Sequence, residues 1–276
     1  MENVYCISLE KNKPTWNAIL KNIKINTGFE NVKMFPAIQG SDLEKYYKNN
    51  EVVSQPINDI ISKHGDVMSL WARYKLHANE NRREHAQFGS WGAVGCYLSH
   101  VSLWEMVVNQ NLDHCLIFED DVVFEPDFVE KYNKVINYIP SDTDIFFLDI
   151  SWCEKSEKYN ELLDKITGKF FGMHAYIITN AGAKKLLKHI FPIEVQIDSY
   201  IAFSNIINKN INMYYAKNIC GQIPHVSSIQ TDCKLCDAQE ENINVSINPY
   251  MTYLVLLTFI AIIIYASKGF YNRKQK

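Results

Sequence analysis

A chain of 276 residues is long enough to bury one sizeable α/β core and too short for two full-sized enzyme domains. With 47% hydrophobic and 21% charged residues, its composition excludes wholesale disorder and fibrous repeats. The formal net charge of -3, with Lys and Arg only in short, acid-interrupted runs, excludes a nucleic-acid binder, because neutralising phosphates needs clustered cations.

Val4 to Leu9 predicts a buried strand, followed by a polar turn and a helix carrying Trp16, Ile19, Leu20 and Ile23 at helical spacing. A second strand is predicted at Val32 to Ala37. Lys45 to His85 is rich in Asn, Lys, Glu and Tyr with weak periodicity, and reads as an elaborated connection, helical in part, over one face of the domain. At Trp91 a Gly-rich turn with Gly92 and Gly95 opens a helix that puts Val94, Leu98, Val101, Trp104 and Val108 on one face. Cys115 to Phe118 is then a short apolar strand that runs directly into Glu119, Asp120 and Asp121. Three carboxylates therefore stand at a strand's C-terminal edge, where open α/β sheets bind ligands. Further strands are predicted at Ile145 to Leu148, Tyr176 to Thr179 and Met213 to Ala216, with helices from near Ala181 and Asp198. The alternation predicts a layered α/β domain over residues 1–232 with a mainly parallel central sheet.

Residues 233–249 are polar, Asn-rich and acidic, and read as a stalk. The stretch from Tyr250 to Ala266 is uncharged and dominated by Leu, Ile and Val, which predicts a transmembrane helix over residues 250–267. Tyr250, Tyr253 and Tyr265 stand at interfacial positions, and the tail at 268–276 carries Lys268, Arg273, Lys274 and Lys276. Met1 to Leu9 lacks the basic and small-residue features of a secretory signal. The two orientation signals pull apart. A basic tail favours a cytosolic C-terminus, whereas tail-anchored insertion favours a cytosolic catalytic domain, the side to which the expectation leans.

Seven cysteines, odd in number and dispersed, read as mostly reduced thiols. Cys233 and Cys236 form a lone CxxC; a structural zinc site would need two more ligands, for which Cys220 and His225 are the candidates, and thiols in a stalk are the simpler reading. Asn244-Val245-Ser246 is a glycosylation sequon, informative only on a lumenal side.

Adjacent carboxylates repel one another, so the acidic run calls for a cation. Hard ions such as Mn²⁺ or Mg²⁺ prefer oxygen ligands, and one held by one or two carboxylates can also grip a substrate's phosphates. The competing reading of an acidic triplet is a solvated turn; the apolar strand before it argues against that.

Gly95-Cys96-Tyr97-Leu98-Ser99-His100 with Trp104, followed by Leu116 to Asp121, closely resembles the signature of glycosyltransferase family 25, which includes lipooligosaccharide and collagen galactosyltransferases. Tyr5 to Leu9 resembles the family's opening strand, although Lys11-Asn12-Lys13 replaces its arginine-rich turn. Phe35 to Gly40 resembles its second block. Ala175 to Thr179 with Gly182-Ala183, Pro192 and Ile197-Asp198 resembles its third. The resemblance implies a GT-A type fold, a UDP-sugar donor, Mn²⁺ or Mg²⁺, and inverting transfer of galactose or glucose to a glycan, lipid or protein acceptor. It also implies that Glu119 and Asp121 are the ends of an Asp-x-Asp-like motif, with Asp121 the direct metal ligand and Asp120 beside the donor.

On that resemblance Ser8, Leu9, Ala37 and Gly40 border the nucleotide, where small residues and backbone amides allow close approach. Asp198 is the candidate base for the acceptor hydroxyl, against a plain helix N-cap. His225 is the candidate for closing the metal site from the C-terminal side, against a surface-loop histidine. His100, although inside the signature, reads as a satisfied structural residue. The alternative to catalysis is a membrane-displayed binding or scaffold protein that keeps the fold and has lost the reaction.

Overall fold

A computed structural model describes residues 3–49, 59, 61–64, 86–208 and 210–223. Its core is an eight-stranded sheet in the order β2-β1-β3-β10-β5-β11-β8-β7. Chain order begins β1 (Val4–Leu9), α1 (Lys13–Thr27), β2 (Val32–Ala37), α2 (Gly40–Asn49), α3 (Trp91–Asn109), β3 (His114–Glu119), β4 (Val122–Phe124) and α4 (Phe128–Ile136). It continues with β5 (Ile145–Phe147), β6 (Trp152–Cys153), β7 (Ser156–Lys158), β8 (Asp164–Ile166), β9 (Phe170–Phe171) and β10 (Ala175–Thr179). The last elements are α5 (Asn180–Leu187), α6 (Ile197–Asn208), β11 (Met213–Tyr215) and β12 (Cys220–Gln222).

The central strands are apolar on both faces because both are covered by helices. On β3, Cys115 and Ile117 pack with α2, α3, α5 and α6 on one side. Leu116 and Phe118 pack with α1 and α4 on the other. The result is a three-layer α/β/α arrangement. Helix α3 is buried nearly all round, and Ser90 caps its start by accepting a hydrogen bond from the Ala93 N–H at 3.2 Å.

The sheet is mixed, not mainly parallel as the sequence predicts. β1 pairs parallel with β2 and β3, and β5 with β11, but β10 runs antiparallel to both β3 and β5. The cause lies in the link from β5 to β10. Parallel neighbours need a crossover, usually a helix. This link instead holds the short strands β6 to β9, so the chain re-enters the sheet from the opposite end. No described helix is long and apolar enough to cross a membrane. The predicted stalk, transmembrane segment and tail at 233–276 lie outside the described residues, as does most of the connection from Lys45 to His85.

Two glycines set how closely α3 approaches the β2 end of the sheet. A Cβ on Gly40 would collide with the Trp91 carbonyl, and one on Gly95 would lie 2.9 Å from the Gly40 nitrogen and closer still to the Ile38 carbonyl. The β2–α2 connection and the first turns of α3 therefore touch backbone to backbone, which only residues without side chains allow. Ser99, also on α3, reinforces the contact by accepting from the Ile38 N–H at 2.8 Å.

Candidate functional site

The C-terminal ends of β1, β2 and β3, which lie side by side, open onto a cavity of about 300 Å³, within the size of a ligand pocket. Ser8 and Leu9 from β1, Ala37 from β2, Gly40 and the acids Glu119, Asp120 and Asp121 all line it. Seven positions singled out in the sequence thus meet at one place. Cys96, Ser99 and His100 of α3 form another wall, and Lys11, Asn12 and Gln222 complete the rim.

The three carboxylates point in three directions, each toward its own partner. Asp120 turns to the β1–α1 corner, where its Oδ2 accepts from Ser8 Oγ at 2.5 Å and from Asn12 Nδ2 at 3.0 Å. Trp16 Nε1 in turn donates to Ser8 Oγ at 3.1 Å. Asp121 faces β12, and its Oδ2 accepts from Gln222 Nε2 at 2.6 Å. That partner is in place because β12 pairs antiparallel with β4, setting Gln222 opposite Val122.

Glu119 turns under α3 and accepts from His100 Nε2 at 3.1 Å. Behind His100, its Nδ1 lies 2.8 Å from the Tyr176 hydroxyl, which accepts from Trp104 Nε1 at 2.9 Å. For a neutral imidazole, donor inventory gives the order of this chain. The indole can only donate, so the phenol's own proton goes to Nδ1, and the proton on Nε2 goes to the carboxylate. Burial pushes the Glu119 carboxyl up, but the His100 hydrogen bond and the nearby imidazoles outweigh it and hold the pKa below the usual carboxylate value. Cys96, one turn before His100, is driven the other way: burial, then the charges of Glu119, Asp198 and Asp121, keep it a thiol well above its ordinary pKa.

Asp198 stands in the first turn of α6 and is not among the cavity-lining residues. It is not an N-cap. Its Oδ1 accepts from the Ser199 N–H at 2.6 Å and its Oδ2 from the Gly172 N–H at 3.4 Å. Burial raises its pKa, backbone donors partly offset this, and the Glu119 charge adds to the rise. His225 lies outside the described residues.

Sequence reasoning does not single out Asn12, Gln222 or the place of Cys96 and His100 in the cavity wall. Gln222 is 101 residues from its partner and Ser8 is 112 from Asp120, distances over which no periodicity or motif carries a signal. For Cys96 and His100 a signal existed: two metal-ligating residue types four apart on one helix.

With this geometry in hand, the comparisons with known proteins are specific. The chain matches glycosyltransferase family 25, described as an LPS biosynthesis protein family, over residues 1–201. This protein belongs to glycosyltransferase family 25. A glycosyltransferase 25 family member from Aedes aegypti is 28% identical over 230 residues, covering 79% of this chain and 34% of that protein. A human relative named inactive glycosyltransferase 25 family member 3 is 35% identical over 102 residues, covering 35% of this chain and 17% of its own. The chain spans about a third of the Aedes protein's length. Among solved structures, mouse xyloside xylosyltransferase 1 overlaps 78% of this chain and 84% of its own at 8% identity and a TM-score of 0.38, a similarity too loose to define the fold.

Proposed function

We propose that the protein is a metal-dependent, inverting glycosyltransferase of GT-A type that moves a hexose, galactose or glucose, from a UDP-sugar to a glycan, lipid or protein acceptor. The observation that carries this reading is the convergence of Ser8, Leu9, Ala37 and Gly40 with Glu119, Asp120 and Asp121 on one cavity. An anionic diphosphate does not enter a cavity with three carboxylates unless cations bridge them. The donor set, carboxylate oxygens at a sheet edge, suits Mn²⁺ or Mg²⁺, and such an ion supplies charge neutralisation to a departing diphosphate.

Asp121 is the residue to hold that ion, with Gln222 fixing the carboxylate. Lys11 adds a positive charge at the same rim, where the family's arginine-rich turn is replaced. Asp120, held by Ser8 and Asn12, braces the end of β1 against the acidic run. The raised pKa of Asp198 suits a group that must accept a proton from an acceptor hydroxyl. Anchoring through a helix at 250–267, with the catalytic domain on the cytosolic side, belongs to the same proposal.

The inactive human relative supports a second reading, a binding or scaffold protein that retains the donor pocket without turnover. One experiment separates the two. Thermal unfolding is followed with UDP, UDP-galactose and UDP-glucose, each with and without Mn²⁺, alongside release of free sugar and UDP. Binding at a hundred times Kd adds about 2.7 kcal/mol of stability, a readily seen shift in Tm. Metal-dependent stabilisation with turnover supports the enzyme, stabilisation without turnover supports the scaffold, and no nucleotide response refutes both. Asp121→Asn should abolish the metal-dependent part of the shift.

A further inference from the structure

Beneath the acidic run, donors of a different chemistry converge. Cys96 and His100 are one turn apart on the same face of α3. The Cys96 Sγ, a ring nitrogen of His100 and a carboxylate oxygen of Glu119 all lie within 4.8 Å of one another. His174 stands on the sheet beside them, outside that 4.8 Å group. It continues the antiparallel register of β10 by one step, so that it stands opposite Glu119, whose N–H donates to the His174 carbonyl at 2.9 Å. Cross-strand partners share a face, here the one covered by α3.

The His174 ring is 2% exposed, and neither of its nitrogens has a hydrogen-bond partner among the described residues. Buried imidazoles are normally paired, because leaving the polar atoms unmatched is costly. This ring stands on the α3-covered face beside a cluster that holds a thiol, a second imidazole and a carboxylate, near enough for its charge and that of Glu119 to act on one another.

We propose that Cys96, His100, Glu119 and His174 form a binding site for a divalent transition cation of the zinc type, distinct from the Asp121 site. Sulfur, imidazole nitrogen and carboxylate oxygen are all zinc ligands and four of them match its tetrahedral coordination number, whereas Mn²⁺ and Mg²⁺ favour oxygen throughout. Ligand atoms around such a centre stand roughly 3.3–3.6 Å apart, so the Cys96, His100 and Glu119 donors, now within 4.8 Å of one another, draw in by about 1 Å on binding and the His174 ring moves in from outside that radius to complete the set.

The protons balance simply. Cys96 releases its thiol proton to solvent. His100 shifts its single ring proton from Nε2 to Nδ1, freeing the Nε2 lone pair for the metal. The Tyr176 hydroxyl, which until then gives its proton to Nδ1, rotates that proton away, and the Nδ1–H then donates to the Tyr176 oxygen, which orients the ring. His174 binds as neutral imidazole and Glu119 as carboxylate. The site joins α3 to the β3–β10 edge and shares Glu119 with the donor cavity, but it requires neither nucleotide nor transfer.

The test is a Co²⁺ titration of the full chain under a phosphine reductant, since zinc itself is spectroscopically silent. The chain carries Cys233→Ser and Cys236→Ser to exclude that pair as the source of signal. The expected result is one tight Co²⁺ per chain with thiolate-to-cobalt charge-transfer absorption, displaced by an equivalent of Zn²⁺. Cys96→Ser should remove the charge-transfer band. His174→Gln, which keeps the volume and polarity of the site, should weaken binding on the order of tenfold or more. Asp121→Asn should keep band and affinity while losing the Mn²⁺-dependent nucleotide response, so the two sites fail separately. Absence of stoichiometric Co²⁺ binding, a band that survives Cys96→Ser, or unchanged affinity in His174→Gln would overturn the proposal. The first of these needs no further variant, and so stands even where Cys96→Ser does not fold.

Discussion

Replacing His100 by Phe removes both hydrogen bonds of a side chain only 1% exposed, while roughly keeping its shape. The bond to Tyr176 is between neutral groups and is worth about 0.5–1.5 kcal/mol; the bond to the Glu119 carboxylate is worth about 1.5–3 kcal/mol. The variant should therefore lose about 2–4.5 kcal/mol, read as a lower urea midpoint at unchanged m-value. A double-mutant cycle with Glu119→Met, which keeps the length of the side chain and has no oxygen to accept from Nε2, isolates the second bond, with an expected coupling of about 1.5–3 kcal/mol at pH 7 in chelator-treated protein. The sign with pH follows from the direction of the Glu119 shift. Its folded pKa is depressed, so the coupling is fully present above the unfolded carboxyl value of about 4.3, and is lost as pH falls through the lower folded value. A coupling below about 0.5 kcal/mol at pH 7, or one that grows on acidification, would refute the assignment of a proton on Nε2 aimed at an ionised Glu119.

Two more variants probe other parts of the site. Asp198→Asn should slow transfer by about 10²–10⁴-fold with nucleotide binding intact, if Asp198 takes the acceptor proton. It should also raise Tm at neutral pH. The wild-type carboxyl has a raised folded pKa, so its stability contribution is complete below its unfolded value and disappears as pH rises through the folded one; the two proteins converge in acid, and a lower Tm for the variant at pH 7 contradicts the burial argument. Gly95→Ala forces a methyl against the Ile38 carbonyl and the Gly40 nitrogen, and should cost about 1–3 kcal/mol in urea unfolding along with weaker nucleotide binding. Binding equal to wild type would show that the close approach of α3 does not shape the cavity.

Much of the architecture is legible in the chain because its strongest signals are local. The apolar runs of β1 and β3 and the start of α3 at Trp91 need no tertiary information, and each forms where the pattern puts it. The direction of β10 is another matter. Ser156-Glu157-Lys158 is polar, and β6 and β9, although apolar, are only two residues each, too short to show a period of two, so the hairpins that turn the chain back leave no mark in the pattern, nor does the mixed sheet. The site divides along the same line. Acids at the end of an apolar strand are a local pattern, whereas Gln222, Asn12 and His174 acquire their meaning only from neighbours made by the fold. From sequence His100 reads as a satisfied structural residue; it is buried and doubly bonded, but one of its bonds ends on an acid of the candidate site.

Family resemblance and physical domain do not share a boundary. The match ends at residue 201, yet β11, which lies between β5 and β8 inside the sheet, and β12, which carries the Gln222 grip on Asp121, come afterwards. A chain cut where the recognisable signature stops would leave an interior strand's hydrogen bonds open and release the very carboxylate assigned to the metal. Such a fragment would be expected to aggregate through its exposed edges, and its inactivity would say nothing about the chemistry of the intact protein.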